Sequence, residues 1–404
     1  MIGRLRIARQ ALRSEYGLSS ASRQVAWRIA VSLPRFSLCS MGLYQDLLAS
    51  ANRFETGISF AEFMRVALYD PQAGYYSRPR PIGRAGDFFT SVSVGGCFGF
   101  LLAQQIRQIQ RALAPGGAID VVEQGAHDGQ FTADLIEHAG TGPAWHHQII
   151  EPNPRFREVQ SARLGDGVRI IPSLREAAPL TGVYLCNELL DAFPVRRLRF
   201  DLGRWREIRI VARGDLLAEA TFDLLPGEVD QWPWIPQEAA DGFQTEVCPE
   251  IDPWLDDLSA AMQRGVALII DYGSSVTEAF LPERADGSVR GYRDHRLVSD
   301  LLDRPGETDL TADVNFTQVR RAAEARGWRF LGFADQAQFL TGIAAGLPDP
   351  DRFPASMRRQ FQTLVHPGIM GRRFRILGIG KDLPEFVLDG FRFSVSPPDF
   401  GEKN

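Results

Sequence analysis

An α/β fold built on a mostly parallel sheet is what this sequence predicts, and three observations predict it. Short apolar runs alternate with amphipathic stretches along most of the chain, the order expected of strand–helix–strand units. Two of those runs close on an acid, Ile119-Asp120-Val121-Val122-Glu123 and Gln148-Ile149-Ile150-Glu151. Between them lie a glycine-bearing turn, Gly125-Ala126-His127-Asp128-Gly129, and a stretch carrying Phe131, Leu135 and Ile136. This is the opening βαβ of a Rossmann-type sheet with helices on both faces. Its glycines let the turn approach a ligand, the helix N-terminus offers free N–H groups, and the second acid can hold a ribose diol.

The remaining elements follow in order. Ser59-Phe60-Ala61-Glu62 reads as a capping box, and Phe60, Phe63, Met64, Ala67 and Leu68 then share a helical face that stops at Asp70-Pro71. Gly83 to Ser91 is a glycine-punctuated loop. A second helix follows with Phe98, Leu102, Ile106, Ile109 and Leu113 inward, ended by Pro115-Gly116-Gly117. Beyond Glu151, Asn153-Pro154 caps a helix whose expected buried stripe is Phe156, Val159 and Leu164. Val168 to Ile171 and Val183 to Glu188 are further strands, and Arg196 to Arg213 alternates in places, as a hairpin insertion would. Asp252-Pro253 opens a helix expected to end at Gly265. Val266 to Ile270 is a fifth strand, Phe316 to Arg326 a helix, and Arg373 to Ile379 a late strand. The expected organisation is a basic leader over 1–56, a helical segment over 57–117, and the α/β domain over 118–381. Insertions are expected near 194–250 and 274–315, with a tail over 382–404.

Bulk composition narrows the function. The chain has 404 residues, 44% hydrophobic and 24% charged, ordinary values for a folded protein of more than one segment. A net charge of −5 gives no support to nucleic acid or an anionic membrane as main partner. No apolar run approaches the roughly 20 residues that span a bilayer. Cys39, Cys97, Cys186 and Cys248 are scattered without a C-x-x-C pair, and no H-E-x-x-H occurs, so no metal site is expected. Lys381 and Lys403 are the only lysines, a compositional hint of a GC-rich bacterial genome. Residues 1–40 hold seven arginines against the single acid Glu15. That is either a mitochondrial presequence or a stretch upstream of a start at Met41. The expected location is therefore the bacterial cytoplasm, with the mitochondrial matrix as the alternative.

The loop spacing Glu123-x-Gly125-x-x-x-Gly129 departs from the three-glycine dinucleotide pattern. It looks more like the S-adenosyl-L-methionine (AdoMet) loop of class I methyltransferases, or else an ordinary strand-turn-helix junction. With several separate motifs in one order, the chain from about Gly57 to Lys381 resembles the MidA-type methyltransferases, which include the arginine methyltransferase of mitochondrial complex I assembly. The motifs are Tyr69-Asp70-Pro71 with Gly74-Tyr75-Tyr76, Gly86-Asp87-Phe88-Phe89-Thr90, Glu123-x-Gly125, Glu151-Pro152-Asn153-Pro154 and Asn187-Glu188-Leu189-Leu190-Asp191. Ile270-Asp271-Tyr272-Gly273, Tyr292-Arg293-Asp294-His295, Pro305 to Thr311 and His366-Pro367 continue the series.

The resemblance implies a class I AdoMet-dependent fold with an added N-terminal helical segment and substrate-side insertions. It also implies methylation of arginine in a protein, a respiratory complex I subunit. Two departures stand out. His127 and Asp128 replace the family's glycine and arginine, and Val92-Ser93 replace a Pro-Glu, so one carboxylate that could grip a guanidinium is lost.

Candidate cofactor residues are Glu123, Gly125, His127, Gly129, Glu151, Asp87 and Thr90. Glu151 is placed on the ribose, and Asp87 and Thr90 close over the methionine end. Candidate catalytic residues are Glu188, Asp191 and Asn187, at a strand end where open α/β sheets place their chemistry. Each carboxylate has a plainer alternative, that of satisfying backbone amides in a turn. Asp271 has a similar position, and His295 is a possible substrate-side group or a solvated histidine. The alternatives in function are a small-molecule methyltransferase and a non-catalytic assembly factor on a degenerate Rossmann domain.

Overall fold

A computed structural model describes residues 38–77, 90–140, 142, 144–177, 179–347, 353–395, 397 and 400 of the chain. Seven strands form the central sheet. They are β1 (Ile119–Gln124), β2 (Trp145–Ile150), β3 (Arg169–Ile171), β4 (Leu180–Asn187), β5 (Met262–Ser274), β6 (Arg329–Asp335) and β7 (Phe374–Lys381), in the order β6-β7-β5-β4-β1-β2-β3. Strands β1 to β5 pair in parallel, and β7 enters antiparallel between β5 and β6. A short eighth strand, Val314–Asn315, pairs with the end of β5.

The central stretches of β1, β4, β5 and β7 are apolar because both faces are covered. On one face Val121, Val183, Leu185, Leu268 and Ile270 pack against α3 (Cys97–Leu113) and α4 (Gln130–His138). On the other, Val122, Tyr184, Cys186, Ala267 and Ile269 meet α6 (Ile251–Ala261) and α7 (Phe316–Glu324). The period-two alternation along each strand delivers successive side chains to opposite cores. Complete burial of a Leu or Ile such as Leu185 or Ile269 contributes about 2 kcal/mol. Helix α5 (Pro154–Leu164) follows β2, with Asn153 as N-cap accepting from Arg155 N at 3.0 Å and Pro154 at the first helical position, as the sequence predicts.

Several expectations change. Part of the stretch read as leader is folded. Helix α1 (Leu38–Asn52) straddles Met41 and buries Leu43, Leu47, Leu48 and Ala51 against α2 (Phe60–Tyr69) and the insertion strands. Only half of the capping box on α2 forms: Ser59 accepts from Glu62 N at 3.1 Å, and no reciprocal bond accompanies it. Ile136 and Val159 are exposed, so α4 and α5 bury narrower stripes than their periodicity suggests. Helix α6 ends at Ala261. Gly265 sits within β5 in an extended form at φ 156, where a Cβ would fall 2.2 Å from Gly182 O.

The 194–250 insertion is larger than a hairpin. Arg196–Asp201, Arg204–Arg213, Leu216–Asp223 and Gln244–Val247 join Ile58–Ser59 in a five-stranded sheet. The insertion expected near 274–315 holds a small sheet of Arg290–Arg293, Arg296–Val298 and Asp309–Thr311. Strand β6 and helices α8 (Gln336–Ala345) and α9 (Arg358–Val365) went unrecognised.

Candidate active site

The carboxyl ends of β1, β4 and β5, together with the 274–315 insertion and the stretch 368–375, line a cavity of about 910 Å3, at the upper end of the size range for small-molecule sites. Its position is set by topology. Between β1 and β4 the strand order reverses, and connections leave the sheet in opposite directions to open a crevice.

One wall comes from the turn after β1. Glu123 is buried, and its carboxylate accepts the Thr132 hydroxyl of α4; burial pushes its carboxyl up to about 7 even so. Gly125 and Gly129 both take φ +81. A Cβ on Gly125 would lie 3.2 Å from Leu189 Cδ1, so the turns after β1 and β4 touch directly there. His127 adopts φ 46, a left-handed backbone that costs a non-glycine residue about 1 kcal/mol. Its imidazole stands edge-on to Phe156 at 5.1 Å, and its buried Nδ1 has no hydrogen-bond partner, with Asp128 Oδ1 at 4.0 Å. Thr90 also lines the cavity, in a tight turn with Ser93. Asp87 lies outside the described residues.

Glu151 stands just beyond β2, close by, but its carboxylate serves its own turn. Oε1 accepts Asn153 N at 2.8 Å and Oε2 accepts Gln160 Nε2 at 3.3 Å. The same Gln160 amide donates to His127 O at 2.9 Å, tying Glu151 to the β1 turn. Glu151 and Gly129 are not among the residues that line the cavity, whereas Glu123, Gly125, His127, Thr90, Asn187, Glu188 and Asp191 are.

The other wall is acidic. Glu188 follows β4 in a left-handed conformation, φ 54. Its Oε1 accepts Asn187 Nδ2 at 3.0 Å, which leaves the buried Asn187 Oδ1 unpartnered. Burial, with Asp191 and Asp309 nearby, pushes the Glu188 carboxyl up to about 8, and burial pushes Asp191 up to about 7. Asp271 is fully buried under this turn and does not line the cavity. Its Oδ2 accepts the N–H groups of Leu189, Leu190 and Asp191 at 3.1, 2.8 and 3.2 Å, and its Oδ1 accepts Tyr272 N at 2.8 Å. Asp271 is therefore the carboxylate that satisfies backbone amides, and it holds Glu188 and Asp191 in place.

The sequence singled out other contributors without giving them a role. Tyr75 and Tyr76 from the N-terminal segment line the cavity with Tyr272 and Asp309. Tyr76 donates to Asp309 Oδ1 at 2.9 Å, and Tyr75 meets Tyr76 edge-on at 5.1 Å. The signal was present in Gly74-Tyr75-Tyr76 and in the Asp309 motif, yet no local pattern says that segments 233 residues apart meet. His295 also lines the cavity. No group of three metal-ligating side chains is placed to hold an ion among the described residues.

This sheet order, with a ligand cavity at its carboxyl edge and an acid-glycine turn after the first strand, defines a class I methyltransferase fold. A family model described as "Putative S-adenosyl-L-methionine-dependent methyltransferase" matches residues 101–334, and the chain belongs to that family. The human protein arginine methyltransferase NDUFAF7, mitochondrial, is 27% identical over 83% of this chain and 82% of its own length. A Drosophila melanogaster homologue of the same name is 28% identical over 80% of this chain and 81% of its own. A crystal structure from Burkholderia thailandensis bound to S-adenosyl-homocysteine superposes with TM-score 0.78 at 26% identity, covering 89% of this chain and 98% of that one.

The protein is an AdoMet-dependent methyltransferase, and its cavity suits the cofactor. Asn187 Oδ1 is a buried acceptor without a donor, while AdoMet brings an amino group, ribose hydroxyls and an adenine amine. The Glu123 carboxylate favours its positive charge. When bound, AdoMet supplies a methyl group on a sulfonium. The β1 turn, Asn187 and Glu123 are the residues that would hold it.

Proposed function

We propose that the methyl acceptor is an arginine side chain of a protein. The observation that carries this reading is the convergence of Glu188, Asp191 and Asp309 with the rings of Tyr75, Tyr76 and Tyr272 on one wall of the cavity. A guanidinium is planar, cationic and rich in donors, so it pairs with carboxylates and stacks on aromatic faces. Support comes also from the printed names of the relatives, which are protein arginine methyltransferases.

Methylation of a guanidinium nitrogen releases a proton. The turn after β4 offers Glu188 and Asp191 to orient the nitrogen and take that proton. Near neutral pH burial leaves both partly protonated, and an entering cation favours their ionised forms. Transfer should then accelerate as pH rises through about 7 to 8. By family resemblance the acceptor protein is a respiratory complex I subunit. The location that fits the arginine-rich, lysine-poor composition is a bacterial cytoplasm.

Incubation with methyl-labelled AdoMet and a lysate, followed by hydrolysis, tests the reading. Label recovered as methylarginine is the expected result. Label confined to a small-molecule fraction would replace the protein acceptor, and absence of AdoMet binding by calorimetry would remove the enzyme altogether.

A further inference from the structure

The His366-Pro367 motif stands apart from the catalytic wall, and the structure shows what it builds. His366 O accepts the N–H groups of Ile369, Met370 and Gly371 at 3.1, 3.2 and 3.0 Å, and its Nδ1 accepts Gly368 N at 3.1 Å. A wide turn, Pro367–Gly371, results. It is anchored at Gly371, where a Cβ would come within 2.4 Å of Val365 O, and by the buried Met370. Immediately beyond it stand Arg372 and Arg373, both exposed and both lining the cavity.

Neighbouring cationic side chains on the same cavity have acidic partners. Arg284 and Arg290 share Asp313, at 2.9 and 3.3 Å, and Arg375 pairs with Glu278 at 2.6 Å. The side chains of Arg372 and Arg373 have neither ion pair nor hydrogen bond among the described residues, although Arg373 N donates to Met370 O at 3.0 Å. Tyr272 lies within electrostatic reach of Arg373 and also of Glu188 and Asp191. The cavity therefore presents acid within and unmatched cation at its edge.

We propose that Arg372 and Arg373 form a docking site for an acidic side chain of the substrate protein, close in sequence to the arginine that is methylated. The site rests on the protein-arginine reading and deepens it. A guanidinium drawn to Glu188 and Asp191 and a carboxylate drawn to the arginine pair would fix the substrate at two points of opposite charge, which sets register and rejects like-charged sequences. The rigid turn presents the pair in advance of binding, which lowers the entropy lost on association.

The test uses the full chain, labelled AdoMet and peptide pools with one arginine, in which glutamate, glutamine or lysine occupies the neighbouring positions. Wild type should favour the glutamate pool over the lysine pool by about tenfold in kcat/KM, as expected for two exposed pairs. The difference should lie in KM and shrink at high salt. The double variant Arg372→Glu/Arg373→Glu should reverse the order of the pools, with AdoMet affinity by calorimetry within about twofold of wild type. Equal use of the three pools by wild type, or an unchanged order in the variant, would overturn the proposal while leaving arginine methylation standing. So would a large loss of AdoMet affinity with the order unchanged, which would assign the pair to the cofactor's own carboxylate. If no pool accepts label although AdoMet binds, the protein-arginine reading fails and the docking site with it.

Discussion

Glu151 and Glu188 are both glutamates that follow a parallel strand at the same edge of the sheet, yet their surroundings differ in kind. Glu151 is gripped on both oxygens, by Asn153 N and by Gln160 Nε2, and the second of these links it to the β1 turn. Glu188 takes one hydrogen bond from Asn187, sits on a left-handed backbone, and faces Asp191 and Asp309 in the cavity wall. The comparison teaches that position at a strand end does not assign a role. A carboxylate whose oxygens are satisfied shapes a loop. One left short of donors beside other acids is poised for a cation and a proton.

The contrast can be broken by exchange of single groups. Glu188→Gln keeps the shape and removes the charge, and should lower turnover by about 100-fold or more while AdoMet affinity stays within about twofold. Unchanged turnover would take Glu188 out of the chemistry. Asp271→Asn comes next. It weakens the acceptor under Leu189, Leu190 and Asp191, so kcat should fall by about tenfold or more. Stability should fall by about 2 kcal/mol. Cofactor affinity should stay nearly constant, and a parallel fall in AdoMet affinity would mean general damage rather than misplacement of Glu188.

Glu151→Ala should weaken AdoMet binding by about tenfold, because it frees the Gln160 amide and with it the His127 turn. Glu188→Ala should do so far less, and equal affinities in the two variants would erase the distinction between the walls. The smallest effect concerns pH and stability. Glu123, Glu188 and Asp191 are held above the ordinary carboxylate range by burial. The folded state therefore keeps protons that the unfolded chain releases, and the stability these groups confer is lost as pH rises through about 7 to 8. The Tm of the cofactor-free protein should rise by a few degrees between pH 8 and pH 6. Glu188→Gln should remove part of that slope, and an unchanged slope would take Glu188 out of the cost in stability.

Much of the site was legible because parallel strands buried on both faces leave an unmistakable record of apolar runs ending in polar residues. Glu123, Gly125, Asn187, Glu188 and Asp191 were found by that record, and they meet in one cavity. The Tyr75-Tyr76 pair and Asp309 stood in plain motifs but carried no role, since their meaning depends on contact across the chain. Strand β6 and helix α8 were missed because Arg329 to Ala345 runs from one apolar element into the next with no glycine or proline turn at the junction, only the Asp335 cap.

By itself the sequence determined the sheet, its cofactor crevice and the acids at the strand ends, because hydrophobic period and glycine spacing are local properties. Only the tertiary structure decided which acid does what. Whether Glu151, Glu188 or Asp271 is satisfied, exposed to the cavity or buried beneath a turn depends on amide groups brought from elsewhere in the fold. A carboxylate's proton affinity is set by those neighbours and by the water they exclude, which the order of residues along a chain does not specify.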